Sequence, residues 1–138
     1  MLALMVPLIL VLLAAGTLMI MYHRQNDANG RRENEALEQI RRHAKSYEDD
    51  VQNEAQNGYP SEDRTGAIAQ RNHSSLISYG QSAQSLTTVV EFFATYEDTS
   101  FFGTSPSRAY RCYVFRFQPD AKGGTSRTTL PVQECNST

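Results

Sequence analysis

The feature that most restricts this chain is an apolar run at its N-terminus. Residues 1–22 contain no charged side chain, and the first arginine is Arg24. A helix rises about 1.5 Å per residue, so this run spans roughly 33 Å and can cross a hydrocarbon core of about 30 Å. Pro7 is compatible with this, because transmembrane helices tolerate proline where other groups satisfy the freed backbone. The sequence therefore predicts a transmembrane anchor at residues 1–22, in contact with membrane lipid.

A cleaved signal peptide is the alternative for this segment. Ala14, Ala15 and Gly16 offer the small residues of a cleavage site. However, no basic segment precedes the apolar run, and residues 18–21 continue it beyond the small residues. These two features favour an uncleaved signal-anchor.

Charge is distributed unevenly along the rest of the chain. Residues 22–64 hold seven Lys/Arg and ten Asp/Glu, whereas residues 65–138 hold six and five. The formal net charge is −2, and a nucleic-acid-binding protein would show a clear basic excess. We therefore expect no nucleic-acid partner, a densely charged solvated region after the anchor, and one small globular domain beyond it.

The charged region divides into a polar linker and a helix. Residues 23–32 are predicted to be a linker, because residues 25–30 are polar and turn-prone. Residues 33–57 are predicted to be an amphipathic helix that ends at Gly58 and Pro60. Its apolar positions are spaced alternately three and four apart; they are Leu37, Ile40, Ala44, Tyr47 and Val51.

That apolar stripe has two interpretations. It can pack on the protein's own sheet, or it can dimerise the chain as a short stalk, in which case Leu37, Ile40, Tyr47 and Val51 are partner contacts. Two heptads with an alanine in the seam are short for an independent coiled coil. Packing on the protein's own sheet is therefore favoured.

Residues 58–138 are predicted to form a small β-rich domain packed with the helix, which gives an α+β fold. Four segments rich in β-branched and aromatic residues, 76–79, 86–97, 109–117 and 127–135, predict an antiparallel meander of about four strands. Turn residues separate them, including residues 103–106. A second short helix is predicted with Thr65 as its N-cap.

The two cysteines gain meaning from the last hairpin. A turn centred between Gly123 and Gly124 predicts the cross-strand pairs Phe117–Leu130, Phe115–Val132 and Cys112–Cys135. Directly opposed cysteines are within disulfide range, so a Cys112–Cys135 disulfide is predicted.

A disulfide implies an oxidising compartment, and hence a domain outside the cytoplasm. The arginines after the anchor, Arg24, Arg31 and Arg32, argue for the opposite orientation. Two free thiols in a cytosolic domain would agree with the arginines. We favour the extracytoplasmic orientation, because acidic residues dilute the basic cluster.

No motif for catalysis, cofactor binding or metal binding is present. His23, His43 and His73 lack a metal-ligand spacing with Cys, Asp or Glu. We therefore expect no enzyme activity, no cofactor, no bound metal and no small-molecule substrate. Phe101 and Phe102 are predicted at a loop tip, where they either fold over the sheet edge or contact a partner or lipid.

The order of elements resembles that of type IV pilins and pseudopilins. An apolar N-terminal helix leads into an amphipathic helix, a break at residues 57–60, an antiparallel meander and a late cysteine pair. The resemblance implies that the N-terminal helix anchors the subunit and also packs the core of a filament. The chain departs from the family in having Met5 where the family has a glutamate, and in having no basic leader that ends in glycine.

Two functions are therefore carried forward. The first is a single-pass membrane protein of the bacterial envelope, with an extracytoplasmic interaction or accessory domain that contacts a protein partner or another copy of itself. The alternative is a pilin-like filament or secretion-system subunit. A filament subunit should have a helix from residue 1 to about residue 56 with little break, whereas an accessory module should have a flexible linker.

Overall fold

The computed structural model describes residues 2–100, 103–120, 124–132 and Cys135, with side chains from residue 7 onward. Two helices precede four strands, which confirms the predicted α+β fold. The elements are α1 (Leu2–Ala55), α2 (Glu62–Arg71), β1 (Ser74–Gln81), β2 (Leu86–Ser100), β3 (Gly103–Pro119) and β4 (Thr125–Val132).

Helix α1 runs without interruption through residues 25–30. The prediction of a turn-prone linker there is wrong. Gly30 and Asn29 are unfavourable inside a helix by roughly 1 kcal/mol or less each. Strong helical segments flank them on both sides, and the Asn29 side chain is bonded to the far end of β2, so local propensity does not decide.

The four strands form one antiparallel sheet in the order β1-β2-β3-β4, a simple meander. The C-terminal half of α1 lies on one face of this sheet. Ile40, Tyr47 and Val51 are fully buried there, and Ala44 is 4 % exposed. The interpretation that the apolar stripe packs on the protein's own sheet is confirmed.

The same burial bears on the partner contacts expected for a dimerising stalk. Ile40, Tyr47 and Val51 belong to the protein's own core, and Leu37 packs against that core while partly buried. No partner can reach the three buried side chains without opening the domain. The stripe is used internally because a four-stranded sheet with one apolar face must itself be covered.

The connection after α1 follows the predicted break. Helix α1 ends at Ala55, and Gly58 takes a φ of +116°, which favours glycine. Helix α2 starts one turn earlier than predicted, because Ser61 is the N-cap and accepts a hydrogen bond from the Arg64 N–H. Thr65 is instead buried inside α2, and its hydroxyl donates to the Ser61 carbonyl at 2.8 Å.

The predicted register of β3 and β4 is wrong by three residues. Leu130 faces Val114 rather than Phe117, and Cys112 faces Val132 rather than Cys135. The chain does not reverse at a tight Gly123-Gly124 turn; the Asp120 N–H donates to the Gly124 carbonyl at 2.8 Å, and the pairing starts at Thr125. An odd shift moves side chains to the opposite face, and Leu130 is accordingly 58 % exposed.

The β2–β3 hairpin is longer than predicted. Residues 103–106, expected as a turn, belong to β3, where Pro106 faces Glu97 and Gly103 faces Ser100. Gly103 has a φ of +127°. Phe101 and Phe102, the predicted loop-tip pair, lie outside the described residues.

Candidate membrane anchor and interaction surfaces

The N-terminal half of α1 is an apolar rod that packs against nothing in the described part of the chain. Within the described residues, α1 is the one helix long and apolar enough to cross a membrane, and none of its apolar window is buried in the protein. Its large side chains between Leu8 and Tyr22 are 51–65 % exposed. Apolar surface of this extent calls for a non-aqueous environment or a packing partner.

A polar clamp joins this rod to the domain. The Asn29 amide donates to the Thr99 carbonyl at 2.8 Å, and its oxygen accepts from the Thr99 backbone N–H at 3.1 Å. The Arg32 guanidinium lies 3.3 Å from the Glu97 carbonyl and the Thr99 hydroxyl. The two side chains therefore bond backbone groups at the end of β2 that would otherwise face water.

The clamp also defines the direction of the β2–β3 hairpin. Asn29 contacts Thr99, whereas Tyr47 donates a hydrogen bond to the Thr88 hydroxyl at 3.0 Å. Strand β2 therefore runs opposite to α1, and the hairpin end lies towards the anchor. Asn29 follows Tyr22 by seven residues, about 10 Å along the helix.

Within the described residues, no helix packs on the sheet face opposite α1, and Cys112 on that face is 4 % exposed and bonded to Cys135. Helix α2 packs on the same side as α1, with Ile68 and Ala69 in the shared core. The other face exposes four large apolar side chains, which are Ile77, Phe93, Tyr110 and Leu130, at 40–58 %. The rings of Phe93 and Tyr110, which face each other across β2 and β3, are 6.5 Å apart.

We call these four residues the outer apolar face. Successive residues of a strand face opposite sides of the sheet. Because both strands carry apolar residues at successive positions, the sequence could have placed Phe93 and Tyr110 on the outer apolar face. Leu130 could not be assigned without the correct β3–β4 register.

Two histidines that are thirty residues apart in sequence meet on the surface. The rings of His43 on α1 and His73 after α2 lie 4.9 Å apart, and the Gln39 amide is 3.4 Å from the His43 ring. Burial lowers the pKa of His43, and His73 and Arg42 lower it further. His73 has a φ of 52°, unusual for a non-glycine residue. Sequence spacing gives no sign of this contact, because tertiary packing creates it.

The two cysteines form the predicted pair, although the predicted β3–β4 register is not what brings them together. Cys112 and Cys135 are bonded, with Cα atoms 5.5 Å apart, although β4 ends at Val132 and the two are not directly opposed. Glu91 faces Cys112 across β2 and β3, and its carboxylate oxygen is 3.2 Å from the Cys135 sulfur. In the described residues, one ligand atom from each of the three lies within 4.8 Å of the others, as in a metal site. Glu91 is not among the residues predicted from the sequence.

Compared with protein-family models, curated proteins and solved structures, the chain matches none of them. The class of protein is therefore defined from the structure alone: a small α+β domain that is continuous with one helix that could span a membrane.

Proposed function

We propose that this chain is a single-pass membrane protein whose α1 helix is both an uncleaved anchor and the spine of an interaction domain. One observation carries the proposal: the apolar half of α1 is exposed, while its amphipathic half enters the core of the sheet. A helix that is apolar on all sides suits lipid, and one with a single apolar stripe suits a protein surface. A continuous helix fixes the domain close to the membrane.

We further propose that the domain lies outside the cytoplasm, in a bacterial envelope. The paired cysteines support this orientation, since disulfides persist in oxidising compartments. The opposing argument counts three arginines after the anchor. Arg32, however, bonds to backbone and side-chain groups of β2, so it has a structural use that is independent of topology.

The domain is proposed to bind a protein partner, or a second copy of itself, rather than to catalyse a reaction. The outer apolar face supports this role, because its four exposed side chains lie on one side of a rigid sheet. Phe101 and Phe102 remain a proposed second contact, for a partner or for lipid. No cofactor, nucleic acid or small-molecule substrate is part of this proposal.

Orientation is tested by a reporter fusion in cells and by thiol labelling of the denatured protein. A C-terminal reporter that is active only outside the cytoplasm should be active on the full chain. A thiol reagent applied to denatured, non-reduced protein should leave Cys112 and Cys135 unlabelled. A reporter active only in the cytoplasm, together with labelling of both cysteines, would reject the extracytoplasmic domain.

A pilin-like filament or secretion-system subunit is the second candidate. One specific observation favours it: α1 is unbroken from Leu2 to Ala55, as expected of such a subunit and not of a flexibly tethered module. The absence of a glutamate at Met5 counts against it.

Cross-linking through the exposed half of α1 separates the two candidates. Met19→Cys places a thiol on an exposed position of the apolar rod, and Asp63→Cys is a matched exposed control on α2. In membranes, a filament subunit should give cross-linked homodimers from Met19→Cys in high yield, because one free thiol per chain can join only two chains. An accessory module should give an adduct with a different protein or none, and homodimers in equal yield from both variants would indicate non-specific aggregation.

A further inference from the structure

The cysteine pair and its neighbouring carboxylate can do more than form a disulfide. We propose that Glu91, Cys112 and Cys135 bind a thiophilic divalent cation, with Zn²⁺ as the best match, when the two cysteines are reduced. The three ligand atoms already lie within 4.8 Å of one another. This inference concerns the reduced protein and does not depend on which side of the membrane the domain occupies.

The sheet fixes two of the three ligands. Glu91 on β2 faces Cys112 on β3, so both side chains project from the same side of a paired ladder. Cys112 is 4 % exposed and Glu91 is partly exposed. The third ligand, Cys135, lies beyond β4 and approaches Glu91 to 3.2 Å. Reduction of the disulfide would free the two sulfurs to separate around a metal ion.

The donor set fits zinc chemistry. Zn²⁺ takes cysteine sulfur at about 2.3 Å and carboxylate oxygen at about 2.0–2.2 Å in a tetrahedral site. Two ligands of one tetrahedral zinc are therefore about 3–4 Å apart; the Glu91 oxygen and the Cys135 sulfur are already 3.2 Å apart, whereas the two sulfurs must separate after the disulfide is reduced. Three protein ligands leave the fourth position for water.

Charge also favours a cation here. Glu91 takes part in none of the ion pairs among the described residues. Reduction would place two ionisable thiols beside this carboxylate, and their mutual repulsion disfavours the thiolate forms. A divalent cation removes this repulsion and holds both sulfurs as thiolates.

The redox balance is simple. A dithiol reductant supplies two electrons and two protons, which break the Cys112–Cys135 bond and give two thiols, while the reductant becomes a cyclic disulfide. Zn²⁺ binding then displaces one proton from each thiol. The disulfide and the metal use the same sulfurs, so they exclude each other. In either state Cys135 is linked to Cys112 of β3, by the sulfur–sulfur bond or through the metal.

Cobalt and zinc titrations of the full-length protein in detergent test this proposal. After reduction with a phosphine, one equivalent of Co²⁺ should produce sulfur-to-metal charge-transfer absorption, and Zn²⁺ should abolish it. The oxidised protein should show no such absorption. Loss of an outer-shell group weakens metal affinity by roughly 10–100-fold, so Glu91→Gln, which removes a ligand, should weaken Zn²⁺ binding at least tenfold.

Glu97→Gln, an exposed carboxylate on the same strand, is the matched control and should bind Zn²⁺ as the parent does. Cys112→Ser should lose the charge-transfer band. Glu91→Gln retains both cysteines, so the test survives if the serine variant misfolds. Equal affinity in Glu91→Gln and the parent, no binding by the reduced parent, or undiminished binding by the oxidised protein would each overturn the proposal.

Discussion

The two halves of α1 share one backbone conformation and differ in what surrounds them. Residues 7–22 are apolar on every side and exposed, whereas residues 36–51 are apolar on one stripe and buried along it. The first half is matched to lipid or to other helices, and the second to a sheet. Secondary structure is therefore uninformative about the role of each half, and the angular distribution of apolar side chains is decisive.

The boundary between the halves is formed by tertiary contacts and not by a break in the helix. Asn29 and Arg32 bond the end of β2 where the exposed rod meets the domain. Helix α1 thus passes from one environment to the other as a single element.

An acidic substitution in each half should give the largest and most different effects. Ile40→Asp places an unpaired charge in a fully buried position and should cost about 4 kcal/mol or more of unfolding free energy. Leu12→Asp should leave the unfolding of the domain unchanged, while it opposes membrane insertion by about 2.5–3.5 kcal/mol. Thermal melts in detergent and alkaline extraction of membranes measure the two quantities. Equal melting temperatures for both variants would reject the division of α1.

The buried half also contains a phenol that makes the domain sensitive to alkali. Burial raises the pKa of Tyr47 well above its usual value of 10, and the hydrogen bond to Thr88 opposes this only in part. The unfolded chain loses this proton near pH 10 while the folded protein keeps it. The stabilisation is complete below pH 10 and falls by up to about 1.4 kcal/mol per pH unit above it.

Tyr47→Phe removes this titration and should flatten the fall in stability above pH 10. At neutral pH the same change should cost about 1 kcal/mol, because the Thr88 hydroxyl loses its buried partner. Burial also raises the pKa of Tyr79, so a smaller alkaline dependence should remain. Denaturant unfolding at pH 8 and pH 11 compares the two chains, and an unchanged slope in Tyr47→Phe would show that another group dominates.

Asn29→Ala should weaken the contact between α1 and the end of β2. This variant loses the bonds to the Thr99 carbonyl and backbone N–H, and should cost about 1 kcal/mol locally with little change in global unfolding. Hydrogen exchange of the Thr99 amide should become several-fold faster. Asn26→Ala, an exposed neighbour on α1, is the control, and equal exchange rates in the two variants would mean that the clamp does not fix the hairpin.

Features of the fold that depend on a local sequence pattern could be predicted, whereas those that depend on contacts between residues far apart in the chain could not. The apolar run follows from its length and lack of charge, the stripe at Ile40, Tyr47 and Val51 from periodicity, and the strands from their β-branched and aromatic residues, and the structure agrees. The linker was predicted wrongly because Asn29 is turn-prone locally, and this preference is outweighed by the helical segments on both sides and by its contact with Thr99. The β3–β4 register failed because a longer loop replaces the tight glycine turn.

The candidate sites show the same division. The cysteine pair could be predicted, because two cysteines near one hairpin have few other partners. Glu91 could not, since its position opposite Cys112 depends on the β2–β3 register. The contact between His43 and His73 joins a helix to a residue after another helix, and no local pattern encodes it.

The smallest effect on stability is expected at the C-terminal end of α1, where Glu54 pairs with Arg64 of α2. Arg64 donates two hydrogen bonds from its Nε and one from Nη2 to the Glu54 carboxylate, at 2.6–2.9 Å. The hydrogen bond from Arg64 lowers the pKa of Glu54, so any stabilisation is present above the unfolded pKa and is lost as pH falls through the folded one. The Arg64 side chain is 59 % exposed and that of Glu54 is 29 % exposed, so water and salt screen the pair. Glu54→Gln should therefore leave the melting temperature within the scatter of replicate melts at high salt, and lower it only slightly at low salt. A large decrease that persists in high salt would show that the Arg64–Glu54 pair stabilises the domain as much as the buried stripe does. That result would contradict the contrast between them.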